Sequence, residues 1–283
     1  MKRGGWTFRA FTDGTFRLDG GAMFGVVPRV MWEKHHPPDE LNRIVLSLRC
    51  LLAENDERRI LVDTGAGDHW EEKQRGIFRF DRRRAQLLAE LAEAGVTPES
   101  VTDVVLTHLH FDHCGGAVRH LPDGPMPAFP KARHWVQKRH WEWAHRPSER
   151  DRASFRPDDF RPLQEQGLLQ FVEGPGEIIP GVRVTPVSGH TPWQQLVEFH
   201  TGEGAVVFCG DLLPFASHLQ IPWIMGYDLN PLLTLNEKKE FLSRAAEEGY
   251  TLVFEHDPVV EACGVRFADG RFEAVGPFTL AQR

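Results

Sequence analysis

The sequence predicts an α/β domain in which strands and helices alternate in two similar halves. Three observations predict it. Apolar runs of strand length recur and end on polar or glycine-flanked positions: LVDTG at 61–65, VVLTHLH at 104–110, PVSGH at 186–190, VVFCGD at 206–211 and LVFEH at 252–256. Two other segments, DRRRAQLLAELAEAG at 81–95 and NEKKEFLSRAAEEG at 236–249, carry helical signals instead. No internal repeat, low-complexity tract or linker interrupts the 283 residues, and at 41% hydrophobic content residues 1–283 read as one domain with a proper core.

The elements follow in order. NRIVLSLRCLLAE and ERRILVDTGAG are two β-rich runs joined by the polar turn at 55–57, which predicts a hairpin that ends at Asp63 and continues into a glycine-rich loop. Leu87, Leu88 and Leu91 share one face of the next helix, which stops at Gly95. A short apolar strand at Val104 to Leu106 then runs into a histidine cluster, the way an α/β scaffold presents a site from the carboxyl ends of its strands. Residues 125–170 differ in character, with Trp135, Trp141 and Trp143 interleaved with charge, and are expected to form a helical insertion. Its tryptophans are expected to pack into their own core, with a cleft cover or a homodimer contact left open. Strands ending at His190 and Asp211, a second helix and a strand ending at His256 complete the pattern.

Composition excludes several classes. A formal net charge of -7 lacks the basic footprint of a nucleic-acid binder. MKRGGWTFRAF carries no apolar run of signal length, and no window is apolar enough for a membrane span, so a cytoplasmic protein acting on a small molecule is expected. Cys50, Cys114, Cys209 and Cys263 lack CxxC spacing and are expected to be buried and reduced. Among the 14 histidines, His35, His36, His120 and His145 are expected on the surface.

THLHFDHCGG at 107–116 places His108, His110, Asp112 and His113 within six positions. With His190, Asp211 and His256 at later strand ends these make seven candidate ligands, five imidazoles and two carboxylates. Nitrogen and oxygen donors without thiolate suit zinc, with iron, manganese or cobalt as alternatives, and disfavour calcium and magnesium. Seven donors are too many for one tetrahedral ion and suit two, spaced roughly 3.5–4 Å and bridged by a carboxylate. Asp63, in a DTG turn, is expected to support the ligands and not to bind metal. Cys114 and Cys209 are expected to pack.

His108-x-His110-x-Asp112-His113, followed by Gly189-His190, Gly210-Asp211 and His256 and preceded by LVDTG, resembles the metallo-β-lactamase superfamily over about residues 42–258. The resemblance implies a four-layer αβ/βα sandwich with the site along the edge between its sheets. It assigns His108, His110 and His190 to one ion and Asp112, His113 and His256 to the other, with Asp211 between them. The reaction class is then hydrolysis by a metal-activated water. Asp211 is the candidate to orient that water and carry its proton to the departing oxygen, with Asp112 the second carboxylate of the catalytic centre.

GAMFGVVPRVMW at 21–32, DELNRIVLSLRCLL at 39–52, GDLLPFASHLQIPWIMGYD at 210–228 and FEHDP at 254–258 are similar to the branch containing quorum-quenching N-acyl homoserine lactonases and methyl parathion hydrolases. Asp211 as a bridge departs from true β-lactamases, and the stretch after His256 is too short for the helical domain of glyoxalase II. In the better-known lactonases a tyrosine follows the bridging aspartate by three positions; here that place is Pro214. Met23, Phe24, Phe215 and Trp223, with Ile224, are expected to wall the substrate pocket, and His218 to be an exposed loop residue. The expected function is opening of a lactone or related ester. The alternatives are phosphotriester or aryl-ester hydrolysis and a metal-holding protein without turnover.

Overall fold

A computed structural model describes residues 1–82 and 86–280. The first sheet is built from β1 (Lys2–Arg3), β2 (Trp6–Asp19), β3 (Arg43–Glu54), β4 (Arg59–Val62) and β5 (Asp103–Val105). A small separate hairpin follows, β6 (Val118–Leu121) and β7 (Gly124–Pro127), and then β8 (Arg133–Gln137) and β9 (Leu169–Val172) complete that sheet in the order β1-β2-β3-β4-β5-β8-β9. The second sheet takes its strands in chain order: β10 (Gly176–Ile179), β11 (Val182–Val187), β12 (Gln194–His200), β13 (Ala205–Phe208), β14 (Thr251–Val253), β15 (Ala262–Ala268) and β16 (Arg271–Phe278). Parallel pairing occurs at β4–β5, β5–β8, β8–β9 and β13–β14, the places where a connection crosses over.

Alternation along the strands creates three apolar layers. Leu51, Ala53, Ile60, Val62 and Val105 face inward against Val184, Val197, Phe199, Val206 and Phe208 of the other sheet. The intervening residues Cys50, Leu52, Leu61 and Val104 point outward, where Leu87, Leu91, Trp141 and Leu163 of helical segments cover them. On the far side Val207, Cys209 and Leu252 meet Phe241, Leu242 and Ala245 of the helix Pro231–Glu247. Strands buried on both faces read as continuous apolar runs, which is why these segments were recognisable as strands. The order helix, sheet, sheet, helix is the expected sandwich.

Several expectations need amendment. The 14-residue β2 and the β15–β16 hairpin were not anticipated. Residues 125–170 are not purely helical: the helices Lys138–Ala144 and Arg161–Glu165 are accompanied by β8 and β9, which pair with β5 and with each other. The first helix expected from the sequence spans Leu87–Glu93 and buries Leu87 and Leu91, with helices Gly20–Phe24, Arg29–Trp32 and Glu72–Phe78 before it; residues 83–85 of the expected run lie outside the described residues. Trp141 is buried, and Trp135 and Trp143 pack against the core as expected. All four cysteines are buried and free. His36 and His218 are buried, against expectation: His36 meets the Ser217 hydroxyl at 3.0 Å, and His218 Nε2 donates to the Met23 carbonyl at 3.1 Å.

Candidate metal centre

The site forms where β4 and β5 end together. Asp63 leaves β4 in the left-handed region at φ 54°. One of its oxygens accepts from the Thr107 amide at 2.7 Å and the other from the Thr107 hydroxyl at 2.6 Å, which pins the start of the histidine loop. His110 then precedes the short helical turn Phe111–Cys114, which carries Asp112 and His113. The two glycine-bearing loops touch backbone to backbone: a Cβ on Gly116 would fall 2.1 Å from the Thr64 carbonyl oxygen. Gly210 adopts φ 46° immediately before Asp211, a conformation that costs glycine little.

Seven predicted donors converge in two groups, His108, His110, His190 and Asp211 in one and Asp112, His113 and His256 in the other, with donor atoms in each group within 4.8 Å of one another. In the first group His110 Nδ1 lies 3.0 Å from His108 Nε2 and 3.2 Å from His190 Nε2. Asp211 reaches both groups, with Oδ2 3.1 Å from His190 Nε2 and 3.5 Å from His113 Nε2 and Oδ1 3.2 Å from His256 Nε2. Asp112 Oδ2 completes the second, 3.7 Å from His256 Nε2 and 3.9 Å from His113 Nε2. Buried imidazole nitrogens aimed at one another have no mutual donor for every lone pair. His113 Nε2 and Asp211 Oδ1 are buried without a hydrogen-bond partner, so the donor set fits divalent cations of the first transition row.

The far sides of His113, His190 and His256 are also held. His113 Nδ1 meets Asp63 Oδ2 at 3.0 Å and Glu255 Oε2 at 2.8 Å; His190 Nδ1 meets Asp228 at 3.0 Å, and His256 Nδ1 donates to the Ser47 carbonyl at 2.9 Å. Such contacts fix ring orientation and raise basicity. Asp63, expected to support the ligands, contacts the back of His113, and with His113 and Glu255 it forms a third close group of donor atoms. Glu255 and Asp228 were missed, although Glu255 directly precedes a predicted ligand. His140, also missed, accepts from the Leu109 amide at 2.8 Å and donates to the Pro192 carbonyl at 2.7 Å, joining the two loops that carry His108, His110 and His190. Burial lowers its pKa to about 4, so it is neutral and serves both partners.

Charge within the cluster is uneven. Burial and neighbouring imidazoles hold His108 and His110 well below the ordinary value. Burial opposes protonation of His190 too, but Asp211 and Asp228 raise it to about 10; Glu255, Asp211 and Asp112 likewise overcome burial at His113 and raise it. Burial alone would raise the Asp211 pKa, yet His113, His190 and His256 hold it well below the carboxylate range. Asp211 is therefore an anion, and a cation entering here displaces protons.

Above the donors lies a cavity of about 380 Å³. Leu18, Met23, Leu46, Phe78 and Phe111 supply its apolar wall, and Tyr227 and Ser154 are uncharged hydroxyls on its lining. Of the predicted pocket residues only Met23 faces it. Phe24, Phe215 and Trp223 pack behind the wall, where Phe24 stacks on Phe215 at 5.9 Å and meets Trp223 edge-on at 5.5 Å; Ile224 is also absent from the lining. Turn-rich segments hide which side of a residue faces in, so sequence could not separate wall from backing.

The pattern of the Metallo-beta-lactamase superfamily matches residues 45–256. The chain belongs to this superfamily. An N-acyl homoserine lactonase of Bacillus thuringiensis subsp. kurstaki is 27% identical over 225 residues, covering 75% of this chain and 82% of the relative. A probable metal-dependent hydrolase from Staphylococcus aureus superposes with TM-score 0.88 at 27% identity, covering 99% of this chain and 100% of that one. A dizinc quorum-quenching lactonase holding its product N-hexanoyl-L-homoserine superposes with TM-score 0.80 at 22% identity over 99% of this chain and 97% of that one, a likeness of fold. This metallo-β-lactamase superfamily member is a metal-dependent hydrolase. Among the described residues no helix is long and apolar enough to cross a membrane.

Proposed function

We propose that the chain is a dinuclear hydrolase that opens a lactone of the N-acyl homoserine lactone kind or cleaves a closely related ester. The observation that carries this reading is the single Asp211 carboxylate set between two imidazole-rich groups, its oxygens 3.1 Å from His190 and 3.2 Å from His256. His108, His110 and His190 would hold one cation and Asp112, His113 and His256 the other, with Asp211 shared. Two divalent cations, zinc first for this donor set, supply Lewis acidity toward a carbonyl oxygen and a water nucleophile at neutral pH.

The chain's own groups do the rest. Asp211, anionic and buried, orients the attacking water and passes its proton to the ring oxygen as the acyl C–O bond breaks, giving a hydroxy acid. Tyr227, whose hydroxyl has no hydrogen-bond partner among the described residues, donates to the substrate carbonyl in place of the tyrosine replaced by Pro214. Leu18, Met23, Leu46, Phe78 and Phe111 receive the acyl chain and keep water away from it. The N-acyl homoserine lactonase relative supports this choice of substrate.

Ring opening followed by base uptake at constant pH tests the reading. The metal-loaded protein should open N-hexanoyl homoserine lactone, and Asp211→Asn should lose about 10²–10⁴-fold in kcat with both cations retained. Lactone opening that survives this change intact would sink the mechanism. The aromatic wall of Phe78 and Phe111 also suits an aryl leaving group, so aryl esters and phosphotriesters form a second reading. A higher kcat/KM on that class than on lactones would move the assignment to it.

A further inference from the structure

The strand ends that wall the candidate centre carry a second, differently charged recess on their opposite face. Leu18 and Leu46 point into the catalytic cavity, while their neighbours Arg17 and Val45 line another cavity of about 830 Å³, as the two-residue period of β2 and β3 requires. Arg43, Arg75 and Arg79 join Arg17 on that lining, and Asp81 is its one acidic side chain. A concentration of four guanidinium groups is a local inversion in a chain of net charge -7.

Their charge is incompletely countered. Arg17 and Arg43 share a single carboxylate, Asp39, at 3.8 and 2.9 Å. Arg75 donates only to carbonyls, those of Trp70 and Asp68, each at 2.9 Å. Arg79 has no side-chain hydrogen bond or ion pair among the described residues and is exposed at the recess. Guanidinium groups with donors left over, gathered around one open recess, suit multiply charged phosphate oxygens, because the planar fork binds them with two parallel bonds.

We propose that this arginine-lined recess is a binding site for a small, multiply charged phosphate compound, separate from the hydrolytic centre. It does not depend on which ester that centre cleaves. Titration calorimetry on the full-length, metal-loaded protein with inorganic pyrophosphate and with ADP tests it. Saturable one-to-one binding of either probe is expected, weakened about tenfold or more in R79Q and in R17Q and reduced by added salt. Neither variant replaces a predicted ligand or a side chain that lines the hydrolytic cavity, so lactone opening serves as the check that they fold. Absence of binding by both probes at millimolar concentration overturns the proposal. So does binding that R79Q and R17Q leave unchanged, which is how capture of phosphate at the metal centre would behave.

Discussion

Tyr227, the carbonyl donor proposed above, is invisible as a candidate until its loop is folded against the cavity. The chain has two tyrosines, and only this one reaches the catalytic cavity; Tyr250 is engaged with Glu248 at 2.7 Å elsewhere. Burial, with Asp19 and Asp112 adding to it, raises its pKa to about 12, so it remains a hydrogen-bond donor throughout the working range. Tyr227→Phe should lower kcat on lactones by about 10²-fold with little change in metal content, read by steady-state kinetics beside elemental analysis. An unchanged kcat would remove Tyr227 from the reaction. His134 supplies a prediction of another kind. Burial lowers its pKa to about 4, against smaller upward contributions from the Ala132 carbonyl and Asp103. Between an ordinary value near 6.5 and that value the unfolded chain takes up a proton that the fold refuses. Its contribution is therefore full above about pH 6.5 and falls as pH drops toward 4, by about 3 kcal/mol at most. Urea midpoints of the wild type and His134→Asn should converge over that window; curves that stay parallel would contradict it.

At the scale of elements, the glycine loops at 65–67 and 115–116 decide whether the ligands assemble. Gly116→Ala drives a Cβ against the Thr64 carbonyl and should cost about 1–3 kcal/mol in thermal or urea unfolding. A variant of full stability would show that the loops are looser than their contact distances imply. These loops also explain what was legible beforehand. Strands such as Ile60–Val62 and Val206–Phe208 are buried on both faces, so their apolar runs stand out, and the ligands follow those runs directly. β2 was harder to see because Arg9, Thr12, Thr15 and Arg17 interleave with Phe8, Phe11 and Phe16 and the chain passes through Asp13-Gly14 without leaving the strand. Asp228 lies 38 positions from His190, and His140 31 positions from Leu109; spacing carries no trace of contacts that only the fold creates.

Across the whole molecule, the seven donors come from both halves of the sandwich: the 108–113 group from the loop after β5 of the first sheet, and His190, Asp211 and His256 from loops of the second. The halves are stitched beside the site. Gln195 on β12 donates its amide to the Thr107 carbonyl at 2.9 Å and its side chain to the Leu106 carbonyl at 2.8 Å, and the Ser47 amide of β3 donates to the His256 carbonyl at 2.9 Å. Cations held at this seam bind only the assembled state and add to its stability by mass action. Chelation should therefore lower Tm. The loss should be greater near pH 8 than near pH 6, because His190 and His113 surrender protons when a cation enters. Scanning calorimetry with and without chelator at both pH values checks this, and a Tm indifferent to chelation would mean that the seam holds without them.

The cavity above the donors is likewise lined from both halves, by Leu18 and Leu46 of the first sheet and by Met225, Gly226 and Tyr227 of the second half. On that lining the Arg150 guanidinium donates to the Gly226 carbonyl, beside Tyr227. That bond closes on a main-chain oxygen and not on a carboxylate, so salt should hardly loosen it. Shortening the side chain at 150 should then enlarge the cavity for bulkier substrates without removing any member of the coordinating cluster.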